Sequence, residues 1–288
     1  MTARPASAPV RRHQKRKASL GVYIVCIILG LLSILPFWIM MANATRSTFQ
    51  IQSQALSLIP STYLKSNMEV FTGKTFDAAT GFINSFIIST GSTLCTVYFS
   101  TLTAYALVAY SWKLREAFFT MILAVMMIPS QVISIGFYQF MYRIGMTNNF
   151  LALILPTIAA PMTVFFMRQY MLPSLSLDIV AAGRIDGASE FRIFNTIVIP
   201  IMKPAMATQA IFAYVNSWNN LFLPMILLTR KEKYTMPIMV SLLKGDIYRT
   251  EYGAVYLALS LSVLPLLVVY FVLSKYIIAG VALGSVKE

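Results

Sequence analysis

Asn216, Asn219 and Asn220 stand three and four residues apart in NSWNNLFLP, inside a run that is otherwise apolar and aromatic. On a helix that spacing puts the three amides on one face. An amide offers donors and an acceptor without charge, so the face suits a neutral, hydroxyl-rich molecule that also presents apolar surface. Other neutral, amphipathic side chains in apolar runs join the same candidate path: Asn84 with Ser85, Gln131, Tyr138, Tyr214 and Trp218. The same groups equally serve as hydrogen-bonded links between membrane helices, at roughly 0.6–2 kcal/mol each. Residue type alone leaves both uses open.

Covalent chemistry finds no comparable set. His13 is the one histidine and lies in a basic tail, RRHQKRK; Cys26 and Cys95 are far apart, with no CxxC spacing. No Ser–His or Cys–His nucleophile and no metal site can be assembled from them. TGKT at Thr72–Thr75 resembles the end of a phosphate-binding loop, but the required earlier glycine is Met68. The expectation is a chain without catalytic residues, cofactor or metal.

A second constellation is mechanical rather than chemical. AAGRIDGASEFRIFNTIVIP, from Ala181 to Pro200, is charged and glycine-bearing between two apolar runs. LDIVAAGRID reads as a short helix breaking at Gly187. Asp186 is placed to cap a second helix from about Ala188, and Glu190 suits its positive end. Phe191, Phe194 and Val198 then share a face, and Pro200 and Pro204 end the segment. Two short helices joined at a sharp turn, lying along a membrane surface, are predicted. Such an element either docks into a groove on a partner or rests on lipid headgroups.

The surrounding elements must be membrane helices. The 288 residues are 58% hydrophobic and 11% charged, with a mean hydropathy of +0.71; a soluble domain carries about 25% charged residues. Six runs reach the length of about 20 residues needed to cross a bilayer: 20–41, 82–110, 117–142, 150–167, 205–229 and 254–274. None contains Asp, Glu, Lys or Arg, and Pro36, Pro129, Pro156, Pro224 and Pro265 are predicted to kink them. The first run is too long for a signal peptide. The net charge of +13 reflects basic residues at the ends of these runs, a pattern of orientation rather than of nucleic-acid binding. Arg4, Arg11, Arg12, Lys15, Arg16 and Lys17 hold the N-terminal tail in the cytoplasm. Threading six crossings from there puts about 14 basic residues inside and about 9 outside, with both termini cytoplasmic and the 181–200 segment facing the cytoplasm. A buried charge that could couple transport to protons is missing from all six runs. The domain division is a basic tail over 1–19 and one transmembrane domain over 20–288, with the cytoplasmic segment at about 173–204.

That segment resembles the cytoplasmic loop of binding-protein-dependent ABC importer permeases, whose pattern is Glu-Ala-Ala, three residues, Gly, nine residues, Ile, one residue, Leu-Pro. Here it is Ala181-Ala182-Gly183, three residues, Gly187, nine residues, Ile197, Val198 and Ile199-Pro200. RIDGASEFRIF is most similar to the carbohydrate type, specifically the maltose-type second membrane subunit. SLIP at Ser57–Pro60, Asn84-Ser85, NSWNNLFLP and the closing GVALGSVKE follow the same family in order. The resemblance implies an all-α membrane fold of six transmembrane helices, the type I importer permease, with a peripheral first helix and a five-helix core. It implies a bacterial inner-membrane location and partners: a sister permease, a cytoplasmic ABC ATPase dimer that alone binds ATP, and an extracytoplasmic solute-binding protein. The implied function is ATP-driven import of a sugar or oligosaccharide; an importer permease for a non-sugar solute is the alternative. Contact with the ATPase is implied for Ala181, Ala182, Gly183, Asp186, Gly187, Ala188, Ile197 and Pro200. The sequence departs from the pattern where Glu is replaced by Ala181 and Ala by Gly183. Asp178, one turn before Ala181, is placed to supply the missing acidity, and Gly183 is expected to loosen its helix by roughly 0.5–1 kcal/mol.

Overall fold

The computed structural model describes residues 20–73, 77–243 and 250–284, with side chains except at 130–131 and 277–284. The basic tail with His13, the Lys74-Thr75 end of TGKT and the closing SVKE lie outside the described residues. Within them the chain is helical and has no strand. The helices are α1 (Leu20–Asn43), α2 (Thr48–Ser53), α3 (Leu64–Phe71), α4 (Ala78–Ala109), α5 (Arg115–Met126), α6 (Ser130–Arg143) and α7 (Leu151–Ile154). They continue as α8 (Pro161–Ser174), α9 (Leu177–Ile185), α10 (Glu190–Ile193), α11 (Ile199–Trp218), α12 (Phe222–Leu227), α13 (Met236–Leu243) and α14 (Tyr252–Gly284). Short 3₁₀ turns lie at Leu155–Ile158 and Lys231–Lys233, and a π turn at Phe194–Val198.

Among the described residues, five helical stretches are long and apolar enough to cross a membrane: Leu20–Asn43, Ala78–Ala109, Leu151–Ser174, Glu190–Trp218 and Tyr252–Tyr276. The sequence predicts a sixth over 117–142, and the structure divides that run. α5 ends at Met126, and α6 begins directly after Pro129. A proline disfavours the helical region for the residue before it, and at Pro129 the run is broken rather than kinked. Pro36 and Pro265 lie inside α1 and α14 without ending them. The fifth run is also redrawn. Pro200 and Pro204 do not stop the 173–204 segment; its second helix continues through the π turn into α11 as one stretch, Glu190–Trp218. The wider π turn directly precedes Pro200, which has no N–H to give to the ladder. The helix stops at Trp218, and α12 follows as a separate short piece.

α4 forms the centre, packed against α8 and α11, and α11 packs in turn on α14. α1 stands outside this core against α14, with Leu20 to Trp38 exposed. An apolar surface all around a helix belongs in lipid. Where α1 ends, buried Arg46 donates to Asn43 Oδ1 at 3.0 Å and to the carbonyls of Gln54 and Gln50 at 2.6 and 3.0 Å. Asn67 of α3 donates to the carbonyls of Ala44 and Arg46 at 2.8 and 3.0 Å. This knot fixes the loop after α1 against the start of α14.

Candidate functional site

The segment around Gly187 folds as a helical hairpin. α9 closes through paired backbone bonds, Gly187 N–H to Arg184 O and Ala188 N–H to Gly183 O, both 3.0 Å. This is the Schellman arrangement, which needs a left-handed residue after the cap. Gly187 supplies it at φ +78°. Asp186 is consumed as the C-cap of α9, so it does not cap the next helix. Ser189 does that instead, its hydroxyl accepting from Arg192 N–H at 3.4 Å.

Glu190 then ties the hairpin to α4. Its carboxylate accepts from Arg184 Nε at 2.6 Å and Nη2 at 3.3 Å, from the Tyr105 hydroxyl at 3.1 Å, and from the Tyr110 hydroxyl. Donating to the Glu190 carboxylate raises the pKa of the Arg184 guanidinium above its ordinary value, and the guanidinium also lies over the Tyr110 ring at 5.3 Å. Beneath this cluster Val180, Ile193, Phe194 and Val198 are fully buried with Tyr105, Met167 and Met171.

Gly183 lies at the crossing of the two helices. A Cβ there would meet Ile197 Cδ1 at 3.2 Å and Ile193 Cγ1 at 3.3 Å, so the glycine that weakens α9 locally also lets the hairpin close. Ile197 is half-buried against the same core, and Ala188 lies beside it. The outward face carries Asp178, Ala181, Ala182 and Asp186, with Pro200 also exposed. Two large apolar side chains join that face: Ile185, 86% exposed, and Phe191, 70% exposed. Phe191 is therefore not on the buried stripe with Phe194 and Val198, as the sequence pattern predicts.

The path residues divide. Asn216 and Asn220 line a cavity of about 610 Å³ between α4, the Leu155–Ile158 turn, α8 and α11. With Asn219 they also line a neighbouring cavity of about 660 Å³ against α6. Tyr138 lines a third, of about 330 Å³, with Phe222 and Ile226. Trp218 is 2% exposed and stacks on Tyr214, 3% exposed, with centroids 5.9 Å apart; Trp218 and Asn219 edge a cavity of about 290 Å³. Asn84 is corrected: it is buried under the 3₁₀ turn, donating to the carbonyls of Glu232 and Tyr234 at 2.9 and 3.0 Å. Ser85 beside it accepts from Met236 N–H at 2.8 Å. The Gln131 side chain lies outside the described residues. Sequence reasoning passed over Ser92, Thr163 and Gln209, which line the 610 Å³ cavity; their signal was polarity within α4, α8 and α11.

Residues 96–282 match the family described as "Binding-protein-dependent transport system inner membrane component". The chain belongs to that family. It is similar to the arabinooligosaccharides transport system permease protein AraQ of Halalkalibacterium halodurans, 31% identical over 90% of this chain and 93% of that one. It is also similar to the lactose transport system permease protein LacG of Rhizobium radiobacter, 31% identical over 95% of this chain and 98% of that one. The crystal structure of a bacterial ABC transporter involved in the import of the acidic polysaccharide alginate contains a chain of the same fold. Its TM-score is 0.73 at 23% identity, covering 93% of this chain and 99% of that one. The permease is thus a multi-pass inner-membrane transport subunit of a binding-protein-dependent ABC importer, and not a catalyst.

Proposed function

We propose that the permease carries a neutral sugar or oligosaccharide into the cell, with α5 and α6 together forming the broken third of six crossings. Both termini then lie in the cytoplasm with the α9–α10 hairpin. Lys113, Arg115, Arg168, Arg184, Arg192 and Lys203 all fall on that side, as the positive-inside rule asks. The subunit pairs with a sister permease, takes its energy from a cytoplasmic ATPase dimer that binds the ATP, and receives solute from an extracytoplasmic binding protein. The observation that carries the solute class is the cavity lining: no charged side chain is among the residues around the 610 and 660 Å³ cavities. The names of the arabinooligosaccharide and lactose permeases point the same way. The test is uptake by proteoliposomes holding the transporter purified from its host. Lactose, raffinose or an arabinooligosaccharide is expected to enter and to stimulate ATP hydrolysis. Uptake of alginate oligosaccharides or an amino acid, with no response to any neutral sugar, would overturn the reading.

ATP-driven closure of the ATPases would move the hairpin, and the hairpin would move α11. Ala181, Ala182, Asp186 and Asp178 form the outward face, Ile185 and Phe191 supply its apolar contact, and Gly183, Gly187, Ala188, Ile197 and Pro200 hold its shape. Ile185→Asp is expected to lower solute-stimulated ATP hydrolysis at least fivefold and to weaken co-purification of the ATPase; Asp178→Ala should act in the same direction with a smaller effect. Unchanged co-purification and hydrolysis in both variants would remove this face from the contact.

A further inference from the structure

Polar groups line the 610 Å³ cavity, and one of them has no partner within the chain. Ser92 is 3% exposed and its hydroxyl is buried with no hydrogen-bond partner. The threonines of the same helix behave otherwise: Thr93, Thr101 and Thr103 each donate to the carbonyl four residues back, at 2.7–2.8 Å, whereas the buried serines Ser89 and Ser100 are unpaired like Ser92 but do not line the cavity. Gln209, 7% exposed, and Thr163, 8% exposed, open onto the same cavity. A buried hydroxyl without a partner is costly to keep in a fold. These three come from three different helices, α4, α8 and α11, and they line one space. A set of donors and acceptors converging on a mostly apolar cavity of roughly 300–1,000 Å³ is the usual form of a small-molecule site.

We infer that this cavity is a solute subsite built by this subunit alone, taking one ring of a neutral polyhydroxylated solute through Ser92, Thr163 and Gln209. Each group can donate and accept, which matches a hydroxyl that does both. Phe212 and Phe137 on the walls offer apolar faces to the ring's C–H surface. The lining carries no charge, so an anionic solute would be desolvated there without compensation. Asn216 and Asn220 border both this cavity and the neighbouring one. They form a step from the Asn219 end of α11 to Gln209, near the middle of the helix. Solute would move along one helix face from amide to amide.

The inference rests on the neutral-sugar reading above and is tested apart from it. The experiment uses the complete transporter in proteoliposomes, with whichever of lactose, raffinose and arabinotriose the unaltered protein carries. Gln209→Leu and Ser92→Val are each expected to raise the KM for uptake about tenfold or more. Ser89→Ala serves as the control, since Ser89 is buried and unpaired on the same helix but does not line the cavity; its KM should not move. A second measurement does not depend on those variants folding well. In a protein carrying Cys26→Ala, Cys95→Ala and Thr163→Cys, the sugar should slow thiol alkylation at 163 by at least threefold. Unchanged KM in Gln209→Leu and Ser92→Val, or alkylation indifferent to sugar, would overturn the subsite while leaving sugar import intact. If none of the three sugars enters even with the unaltered protein, the sugar reading and the subsite both fall.

Discussion

Glu190→Ala is expected to lower solute uptake by the assembled transporter about 100-fold while leaving the subunit folded in the membrane. The ion pair with Arg184 cannot account for such a loss through stability. Both side chains are close to half exposed, at 40% and 44%, and exposed pairs contribute at most about 1 kcal/mol. What Glu190 does is geometric. One carboxylate receives Arg184 from α9, Tyr105 from α4 and Tyr110 from the loop beyond α4. It is the polar junction between the α9–α10 hairpin and the central helix. Without it the hairpin keeps its buried core of Val180, Ile193 and Phe194, so folding survives. Its push on α4 would then rest on apolar contact alone. A 100-fold loss corresponds to about 2.7 kcal/mol of coupling, which four charge-assisted hydrogen bonds reach together even when each is discounted for solvent to about 1 kcal/mol or less. Tyr110→Phe removes one of these bonds and should cost only a few-fold. The measurement is uptake alongside ATP hydrolysis: the variant should still hydrolyse ATP with little solute moved. Uptake near that of the unaltered protein would show that the junction carries no force.

The position of this hairpin was legible because one residue type does a job few others can. Gly187 has φ +78°, and a glycine between two helical patterns marks such a turn. The finer assignments failed where local rules gave two equivalent answers. Asp186 and Ser189 are both good N-caps, and only the closure of α9 through Gly183 and Arg184 assigns Asp186 to the first helix. Phe191 departs from the pattern because three residues along an α-helix leave it about 60° around the axis from Phe194, far enough to face outward at 70% exposed while Phe194 stays in the core. The apolar runs were legible from composition, but Pro129 and Pro36 carry the same local signal with different outcomes. The asparagines show the same limit. Asn84 and Asn216 are alike in sequence, yet one brackets carbonyls at Glu232 and Tyr234, distant in the chain, and the other borders a cavity. Which polar residue holds helices together and which faces open space depends on pairing between helices, and no periodicity within one helix records that.

Gly253→Val should nearly abolish recovery of folded protein, the largest stability effect expected of any single substitution considered for this chain. By helix propensity alone the change would be mildly favourable or neutral, since Gly in a helix is less favourable than Ala by about 1 kcal/mol. Packing reverses the sign. Gly253 lies in the first turn of α14, fully covered, and a Cβ there would overlap the Arg46 carbonyl oxygen and both side-chain polar atoms of Asn67. Asn67 cannot simply turn away. Its amide holds the carbonyls of Ala44 and Arg46 at 2.8 and 3.0 Å, and moving it leaves a buried amide and two buried carbonyls unsatisfied. At about 1–3 kcal/mol per buried unpaired group the loss for these three groups reaches roughly 3–9 kcal/mol before the displacement of backbone is counted. That is comparable to the whole stability of many domains, about 5–15 kcal/mol. Gly253→Ala should show the same defect in milder form. Adding Asn67→Ala to Gly253→Ala should restore only part of the yield, because the Arg46 carbonyl belongs to the backbone and remains in the way. Size-exclusion of the detergent-extracted complex and its thermal melt give the readout. Full yield and an unchanged melt for Gly253→Val would mean that the loop after α1 does not need its close seat against α14.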